Sequence, residues 1–237
     1  MTRAKNKQAS LAPSLYQRYL ERAIIQHGSI QAIEEKLPAP LSNKALTAIK
    51  DDRYLAEMTA CVFRAGFVWR IITLKWEGFE TVFNNFLPIW VASRSPEEIE
   101  DMASDARIVR NLTKVKSVQE NALFILDIQR EHGSFGKFLA EWPEDDIVGL
   151  WTYLKKHGNR LGGNSGQYFL RFMGKDTFIL SRDVCTALCA EGIVDKTQIT
   201  SQRDLAAVQA AFNEMRAESG RSLSELSMIL ALSIGPA

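Results

Sequence analysis

Apolar residues recur every three or four positions along most of the chain, the spacing that places them on one face of an α-helix. Sustained alternation of apolar and polar residues, which predicts β-strands, is not found. The pattern predicts helices over residues 13–26, 52–65, 112–131, 145–157, 165–173, 184–190, 202–217 and 223–234, and a further helix in the run FVWRIITLKW. The predicted fold class is therefore all-α.

Polar residues and glycines mark the ends of these helices. The run Ser95-Pro96-Glu97-Glu98 offers a Ser N-cap, Pro at the first helical position and acidic residues in the first turn. Ser222 and Glu225 have the spacing of a capping box. Gly133 and Gly136 predict a break after the long helix 112–131.

The segment NRLGGNSG, residues 159–166, places three glycines within five residues between two predicted helices. A Gly-rich turn before a helix directs several backbone N–H groups to one point, where they and the helix dipole bind phosphate oxygens. Residues 161–165 resemble the Leu-Pro-Gly-x-Gly turn of the helix-hairpin-helix, with Gly in place of Pro and Ser in place of the last Gly. An ordinary corner between two helices is the alternative interpretation.

The run GKDTFILSRDV, residues 174–184, matches in length the segment that follows the hairpin in helix-hairpin-helix base-excision glycosylases. In those enzymes this segment carries a catalytic Asp. The aligned position is Ser181 here, and the nearest carboxylate is Asp183, which makes Asp183 a candidate catalytic residue. The alternative is that Asp183 only serves as an N-cap or first-turn acid of the helix that follows.

Two further stretches resemble the 3-methyladenine DNA glycosylase I family. The family's Ala-Gly-Leu-Ser-Trp corresponds to residues 65–69, and its later Ile-Ile-Arg, Lys-Ile and Asn-Ala correspond to residues 108–110, 114–115 and 121–122. The resemblance covers about residues 54–190. It implies a helix-hairpin-helix glycosylase fold of two helical lobes with a cleft between them. We expect an N-terminal helical extension over residues 1–45 and the glycosylase-like domain over 46–237.

The same resemblance implies a pocket for a base extruded from DNA. Trp69 aligns with the family Trp and would stack on the base, unless it is simply a core aromatic residue. The family's base-contacting Glu lies eight residues before that Trp, a position occupied here by Cys61. Glu57 lies one helical turn earlier, so it is either a catalytic replacement for that Glu or a solvated helix carboxylate.

Phosphate contacts are predicted for the hairpin and for basic residues near it. The net charge of +1, from 29 basic and 28 acidic residues, excludes a uniformly basic surface but permits a local basic patch. The candidate DNA-binding residues are Arg160, Gly163, Asn164, Ser165, Gly166, Lys114 and Arg182. For Lys114, the one lysine among them, solvation on a helix surface is the alternative.

The family binds zinc through Cys and His residues near both ends of its chain, and this sequence departs from that pattern. There is no Cys before Cys61, and Cys185 and Cys189 alone do not complete a site. We therefore expect no metal and no cofactor. Because no apolar run is long enough to span a bilayer, we also expect a cytoplasmic monomer with no membrane association.

These observations predict a monofunctional DNA glycosylase in base-excision repair. It would extrude an alkylated purine of the 3-methyladenine type from double-stranded DNA and hydrolyse the N-glycosidic bond. Gln167 stands where bifunctional lyases have a Lys, which favours the monofunctional reaction. The alternative is a catalytically impaired protein that binds damaged or undamaged duplex, because Cys61 and Ser181 stand where carboxylates are expected.

Overall fold

The computed structural model describes residues 12–235, and within this range the chain forms fifteen α-helices and one 3-10 helix. The first eight helices are α1 (Leu15–His27), α2 (Ile30–Glu34), α3 (Asn43–Ala48), α4 (Asp51–Arg64), α5 (Trp69–Leu74), α6 (Trp76–Val82), α7 (Pro88–Ala92) and α8 (Pro96–Ser104). The others are α9 (Leu112–His132), α10 (Phe135–Glu141), α11 (Ile147–His157), α12 (Asn164–Phe172), α13 (Arg182–Ala190), α14 (Gln202–Ser219) and α15 (Leu223–Leu232). The 3-10 helix spans Asn84–Phe86. Residues 12–235 contain no β-strand, and the predicted all-α class is confirmed.

The helices pack into two lobes. In one lobe the long helix α9 contacts α4, α7, α8 and α10, and α4 also packs against α12. In the other lobe α15 contacts α1, α13 and α14. None of the helices between residues 12 and 235 has both the length and the apolar character needed to cross a membrane.

Helix α1 belongs to the lobe formed by the C-terminal helices. The Tyr19 hydroxyl donates a hydrogen bond of 2.9 Å to the Ala187 carbonyl, and Arg18 and Arg22 both form ion pairs with Glu191. These contacts cross the predicted domain boundary at residue 45, which stays a prediction. Residues 1–11 of the expected N-terminal extension lie outside the described range.

Local polar residues set several helix ends as predicted. Ser95 and Ser222 each form a complete capping box, with Glu98 and Glu225 respectively. The run FVWRIITLKW contains one more break than predicted, because α5 ends before Lys75 and α6 begins after it.

The predicted break at Gly136 is wrong, because this glycine lies buried inside α10. A Cβ atom at Gly136 would lie 2.4 Å from the Leu46 carbonyl oxygen, closer than non-bonded atoms approach. The missing side chain therefore lets α10 pack directly against the backbone of α3. The glycine reflects packing between two helices and not a helix end.

Candidate functional site

The glycine-rich segment forms a tight turn between α11 and α12. Gly163 precedes the first residue of α12 with φ +57° and ψ −140°, a conformation that side-chain-bearing residues rarely adopt. No side chain among the described residues caps the N-terminus of α12, so its first N–H groups are free to meet an external acceptor. Gly163 and Asn164 are exposed, Ser165 is half-buried and Gly166 is buried.

The turn is attached to α9 by one buried side chain. The Asn121 amide donates to the Asn159 carbonyl at 3.1 Å, and the Asn159 backbone N–H donates to the Asn121 amide oxygen at 2.7 Å. The Asn159 side chain also bonds Glu120. Arg160 follows with an exposed side chain and φ +60°. The position of the turn relative to α9 is thus fixed by a pair of hydrogen bonds between the Asn121 side chain and the Asn159 backbone.

A cavity of about 470 Å³, here called the aromatic cavity, lies between the C-terminus of α4 and the N-terminus of α12. Its rings are Phe67, Trp69, Tyr168 and Phe172. The Trp69 ring stands nearly perpendicular to Tyr168, at 5.9 Å between ring centroids, and to Phe172, at 6.2 Å. Asn164 and Ser165, in the first turn of α12, line the same cavity. The glycine-rich turn and the aromatic walls are therefore adjacent.

Arg64, the last residue of α4, brings a guanidinium group to this cavity. Its carbon lies 5.7 Å from the Trp69 ring centroid and 5.5 Å from that of Phe172. Its Nη1 donates a hydrogen bond of 2.8 Å to Glu57 Oε1. Burial raises the pKa of the Glu57 carboxyl, and the neighbouring Arg64 charge partly opposes that rise. Glu57 does not itself line the cavity.

Cys61 lines the aromatic cavity at the position where the family has a Glu. Its thiol donates to Glu57 Oε1 at 3.6 Å, a normal distance for a sulfur donor. Burial, followed by the nearby Glu57 charge, raises the pKa of the Cys61 thiol well above its usual range. Cys61 therefore presents a neutral side chain to the cavity.

Lys114 was predicted to contact phosphate, but its side chain is buried, with a relative exposure of 7%. Its Nζ donates to the Ala65 carbonyl at 2.7 Å and to the Phe63 carbonyl at 3.2 Å, and it lies 4.5 Å from the Phe67 ring centroid. Burial, and then the nearby Arg160, lowers the pKa of Lys114. The ammonium thus stabilises the C-terminal carbonyls of α4 and is not presented on the surface. Arg182, by contrast, is exposed at the start of α13.

A second cavity of about 490 Å³, here called the cleft cavity, lies on the other side of Tyr168 and Phe172, between α12 and helices α13 and α15. Ser181 lines it and serves as the N-cap of α13 by accepting a hydrogen bond from the Val184 N–H. Asp183 lies exposed in the first turn of α13 and lines neither cavity. Within residues 12–235, no carboxylate lines either of these two cavities.

Gln167 is buried, and its side-chain oxygen accepts a hydrogen bond of 2.7 Å from the Leu180 backbone N–H. It therefore fixes the segment that leads to Ser181. Among the described residues no three or more His, Cys, Asp or Glu side chains gather as a metal site would require. Cys185 is buried and Cys189 partly buried.

The model of the methyladenine glycosylase family matches residues 46–159. Over those residues, just under half of the chain, the sequence is similar to that family. The matched region begins in α3 and ends within the glycine-rich turn, so it includes the α4 end of the aromatic cavity but not α12.

A curated relative, DNA-3-methyladenine glycosylase 1 of Escherichia coli (strain K12), is 29% identical over 76 residues. That alignment covers 32% of this chain and about two fifths (41%) of the relative. Among solved structures, 3-methyladenine DNA glycosylase I from Staphylococcus aureus is 23% identical over 69% of this chain and 87% of that one, with a TM-score of 0.48.

The 8-oxoguanine DNA glycosylase of Methanocaldococcus jannaschii is 15% identical, and the alignment covers 91% of this chain and 94% of that one with a TM-score of 0.50. At this identity the likeness concerns the fold alone. This likeness confirms the predicted helix-hairpin-helix glycosylase fold. The aligned region extends beyond the residues that the family model matches.

Several residues of the aromatic cavity were not predicted from the sequence as site residues, among them Arg64, Tyr168 and Phe172. Tyr168 and Phe172 are separated by four residues on α12, a spacing that places two rings on one face of a helix. Arg64 lies seven residues after Glu57, two helical turns along the same face of α4. Both spacings were available in the sequence, but only the fold brings these two faces together.

Proposed function

We propose that this protein is a DNA glycosylase that receives a damaged purine base, extruded from double-stranded DNA, in the aromatic cavity. The observation that carries the proposal is the adjacency of two surfaces. Asn164 and Ser165 belong both to the uncapped N-terminus of α12 and to the wall of the cavity. A phosphate held at that N-terminus would bring a neighbouring base next to the rings.

The dimensions and chemistry of the cavity suit an aromatic ligand. Its volume of about 470 Å³ lies in the range of roughly 300–1,000 Å³ typical of small-molecule sites. Trp69 is 48% exposed and Phe172 45% exposed, so both rings have free surface. Stacking of a base on such a ring contributes about 1–3 kcal/mol. This compensates part of the cost of removing the base from the DNA stack.

The similarity of residues 46–159 to the methyladenine glycosylase family supports an alkylated purine of the 3-methyladenine type as the substrate, and hydrolysis of the N-glycosidic bond as the reaction. We expect the reaction to be monofunctional. Among residues 12–235 no lysine lines the aromatic cavity, and the position of the lyase Lys is held by Gln167, whose side chain accepts a hydrogen bond from the backbone of Leu180. Glu57 would influence the reaction only through Arg64 or Cys61, which it contacts.

The direct test is to incubate the protein with alkylated duplex DNA and to identify released bases by mass spectrometry. We expect free alkylated purine together with unbroken strands that contain abasic sites. The matched control is the same duplex without protein, because alkylated purines also leave spontaneously. Strand cleavage without an added alkali treatment would contradict the monofunctional reaction. Release of alkylated purine at the spontaneous rate would contradict the glycosylase proposal.

One observation favours a second function, that of a lesion- or duplex-binding protein without catalysis. Neither cavity is lined by a carboxylate among the described residues, and Cys61 and Ser181 stand at the two positions where one was expected. A glycosylase stabilises the developing sugar cation with nearby negative charge. Specific binding of alkylated or abasic duplex, with no release of base above the spontaneous rate, would support this second function.

A further inference from the structure

The polar side chains that line the aromatic cavity determine which edge of a purine it can recognise. This inference rests on the proposed function and deepens it, because it concerns how the same cavity distinguishes one alkylated purine from another. Cys61 stands where the family has a base-contacting Glu, and its thiol is already bonded to Glu57. Recognition of the base edge therefore falls to another polar group of the lining.

Asn164 places a carboxamide beside the aromatic rings. It is the first residue of α12, and Tyr168 and Phe172 follow at intervals of four residues, so the three side chains form a row along one face of the helix. The Tyr168 ring lies 5.7 Å from Phe172 and 5.9 Å from Trp69, measured between ring centroids. Asn164 is exposed, and within residues 12–235 its side chain forms no hydrogen bond. Its carboxamide is thus free to bind a ligand that contacts the rings.

A carboxamide is complementary to one edge of adenine. The N6 amino group and N7 present a donor and an acceptor side by side, and methylation at N3 leaves both unchanged. An Asn side chain accepts from N6 and donates to N7 in one plane. Guanine presents two acceptors, O6 and N7, at the same positions, so a carboxamide can satisfy only one of them. A matched pair of this kind discriminates by about five- to a hundredfold against the wrong base.

The other polar groups of the lining do not match the adenine edge. Arg64 carries donors only, which suit the two acceptors of guanine, and one of these donors is bonded to Glu57. The Trp69 indole N–H is also a donor only. Ser165 and Tyr168 each present a single hydroxyl oxygen, which does not provide a donor and an acceptor in parallel. Asn164 is therefore the lining residue that fits an adenine.

The position of Asn164 also agrees with the path of an extruded nucleotide. Its backbone N–H belongs to the uncapped N-terminus of α12, where the proposed function places a phosphate. In a purine nucleotide N7 belongs to the ring that is attached to the sugar, whereas the Watson–Crick edge lies on the far side of the base. A side chain next to the phosphate is therefore closer to the N7 edge than to the Watson–Crick edge.

This contact distinguishes adenine from guanine and does not by itself identify damage, because undamaged adenine has the same edge. Damage is distinguished by charge. Methylation at N3 makes the base cationic in DNA, which weakens its glycosidic bond and favours contact with an aromatic face such as that of Tyr168 or Trp69. The rings and the carboxamide thus have separate tasks.

We propose that the Asn164 carboxamide binds the N6 and N7 edge of an alkylated adenine and is the specificity-determining residue of the aromatic cavity. It replaces the edge contact that Cys61 does not provide. The cavity should then prefer 3-methyladenine to 3-methylguanine, and this preference should depend on the Asn164 side chain and not on its backbone.

The test uses one duplex treated with a methylating agent, which contains 3-methyladenine, 3-methylguanine and unmodified bases. Single-turnover release of each base is quantified by mass spectrometry and divided by its spontaneous release without protein. We expect the wild-type protein to favour 3-methyladenine by about fivefold or more, and unmodified adenine to stay at the level of the control. A parallel titration with free 3-methyladenine and free 3-methylguanine measures the same preference without catalysis.

Asn164→Leu is close in size, removes both polar atoms of the side chain and keeps the backbone N–H. Release of 3-methyladenine should fall by about five- to a hundredfold, so that the preference over 3-methylguanine disappears in both measurements. Affinity for undamaged duplex should not change. The matched control is Ser165→Ala, at the next residue of the same lining, which should keep the preference. Circular dichroism of each variant confirms that it is folded.

The outcomes separate this inference from the function on which it rests. A wild-type protein that favours 3-methylguanine would assign the edge contact to Arg64 and overturn the inference, as would equal treatment of the two bases or a preference that persists in Asn164→Leu. Equal losses on both bases and on undamaged duplex would assign the Asn164 side chain to phosphate binding and also overturn it. Absence of both base release and preference for damaged duplex would overturn the proposed function itself. The titration with free bases would then still decide the inference, and equal affinities would contradict it.

Discussion

The hairpin turn and the aromatic cavity are adjacent and share Asn164 and Ser165. They differ in which groups form them. The turn is formed mainly by backbone groups. Gly163 sets its conformation, and the Asn121 side chain holds it through two hydrogen bonds to the backbone of Asn159. The cavity is formed mainly by side chains, and one of them is Cys61, which aligns with a Glu in the family that the sequence resembles. A binding site formed by backbone groups tolerates changes in the side chains around it, whereas a pocket lined by side chains does not.

If the proposed function is correct, this difference implies that affinity for DNA and chemistry on a base can be separated by mutation. Phosphate recognition needs only N–H groups and a helix dipole, which the turn provides without any charged side chain. In the proposed function, base recognition would depend on the identity of cavity residues such as Trp69 and Cys61, which can change while the fold persists. Variants of each region should therefore affect different measurements.

The largest effect is expected from Trp69→Ala, which removes a wall of the cavity. Because stacking on an aromatic side chain is worth about 1–3 kcal/mol per base, release of base should fall by about ten- to a hundredfold. Affinity for undamaged duplex, measured by fluorescence anisotropy, should change little. An equal fall in both quantities would show that Trp69 supports the fold and not the base.

Gly163→Arg should weaken binding to damaged and undamaged duplexes alike. Its side chain would obstruct the phosphate, and the loss of a charge-assisted hydrogen bond is worth about 1.5 kcal/mol or more, or at least about tenfold in affinity. The control is Gly163→Ala, because open space surrounds Gly163 but its φ of +57° is strained for alanine. If both variants bind undamaged duplex as the wild type does, the turn is only a structural corner.

A smaller effect, on stability and not on affinity, is expected from the pH dependence of Glu57. Its pKa is raised by burial, so between its unfolded and folded pKa values the folded state holds a proton that the unfolded state has released. Wild-type stability should therefore fall relative to Glu57→Gln as the pH rises from about 4.3, the unperturbed Glu pKa, through the raised folded value. Urea midpoints between pH 4 and 7 measure the difference between the two proteins. A gap that grows in favour of the wild type would show that the Arg64 pair outweighs burial.

The smallest effect on DNA affinity is expected from Lys114→Met. Its ammonium is engaged by the Ala65 and Phe63 carbonyls and does not face the solvent. Lys116→Met is the matched comparison, because Lys116 is exposed two residues further along α9. If Lys116 contacts a phosphate, Lys116→Met should reduce the slope of the logarithm of affinity against the logarithm of salt concentration by about one. Lys114→Met should leave that slope unchanged. A reduced slope in Lys114→Met alone would contradict the buried position.

Helix positions could be predicted from the sequence where their causes are local. Ser95 and Ser222 cap their helices through residues three positions away, and the pattern of α9 gave its start at Leu112. Gly136 was misinterpreted because its reason lies in α3, about ninety residues earlier, where the backbone of Leu46 needs the space. A local sequence pattern does not show which distant segment packs against a glycine.

The candidate site could be predicted only in part for a similar reason. Trp69, Cys61 and the glycine-rich turn were identified by spacing within a family pattern, and the fold brings all three to one cavity. Arg64 was not recognised, and Lys114 was placed on the surface, because the surroundings of both depend on which residues from other helices face them. Lys114 in particular was expected on the surface, whereas α4 ends above it and covers it.

The packing of α1 against α15 has a consequence for how the chain acquires its structure. Tyr19 and Ala187, which are hydrogen-bonded, are separated by 168 positions, and α15 itself ends at Leu232. During synthesis from the N-terminus, α1 can pack against the adjacent α2 early, but its contacts with α15 cannot form until residue 232 has emerged. Contacts between distant positions slow folding because a large loop must close before they form. The lobe built around α9 can assemble from nearby segments, so it should become structured first and the lobe containing α1 should close last.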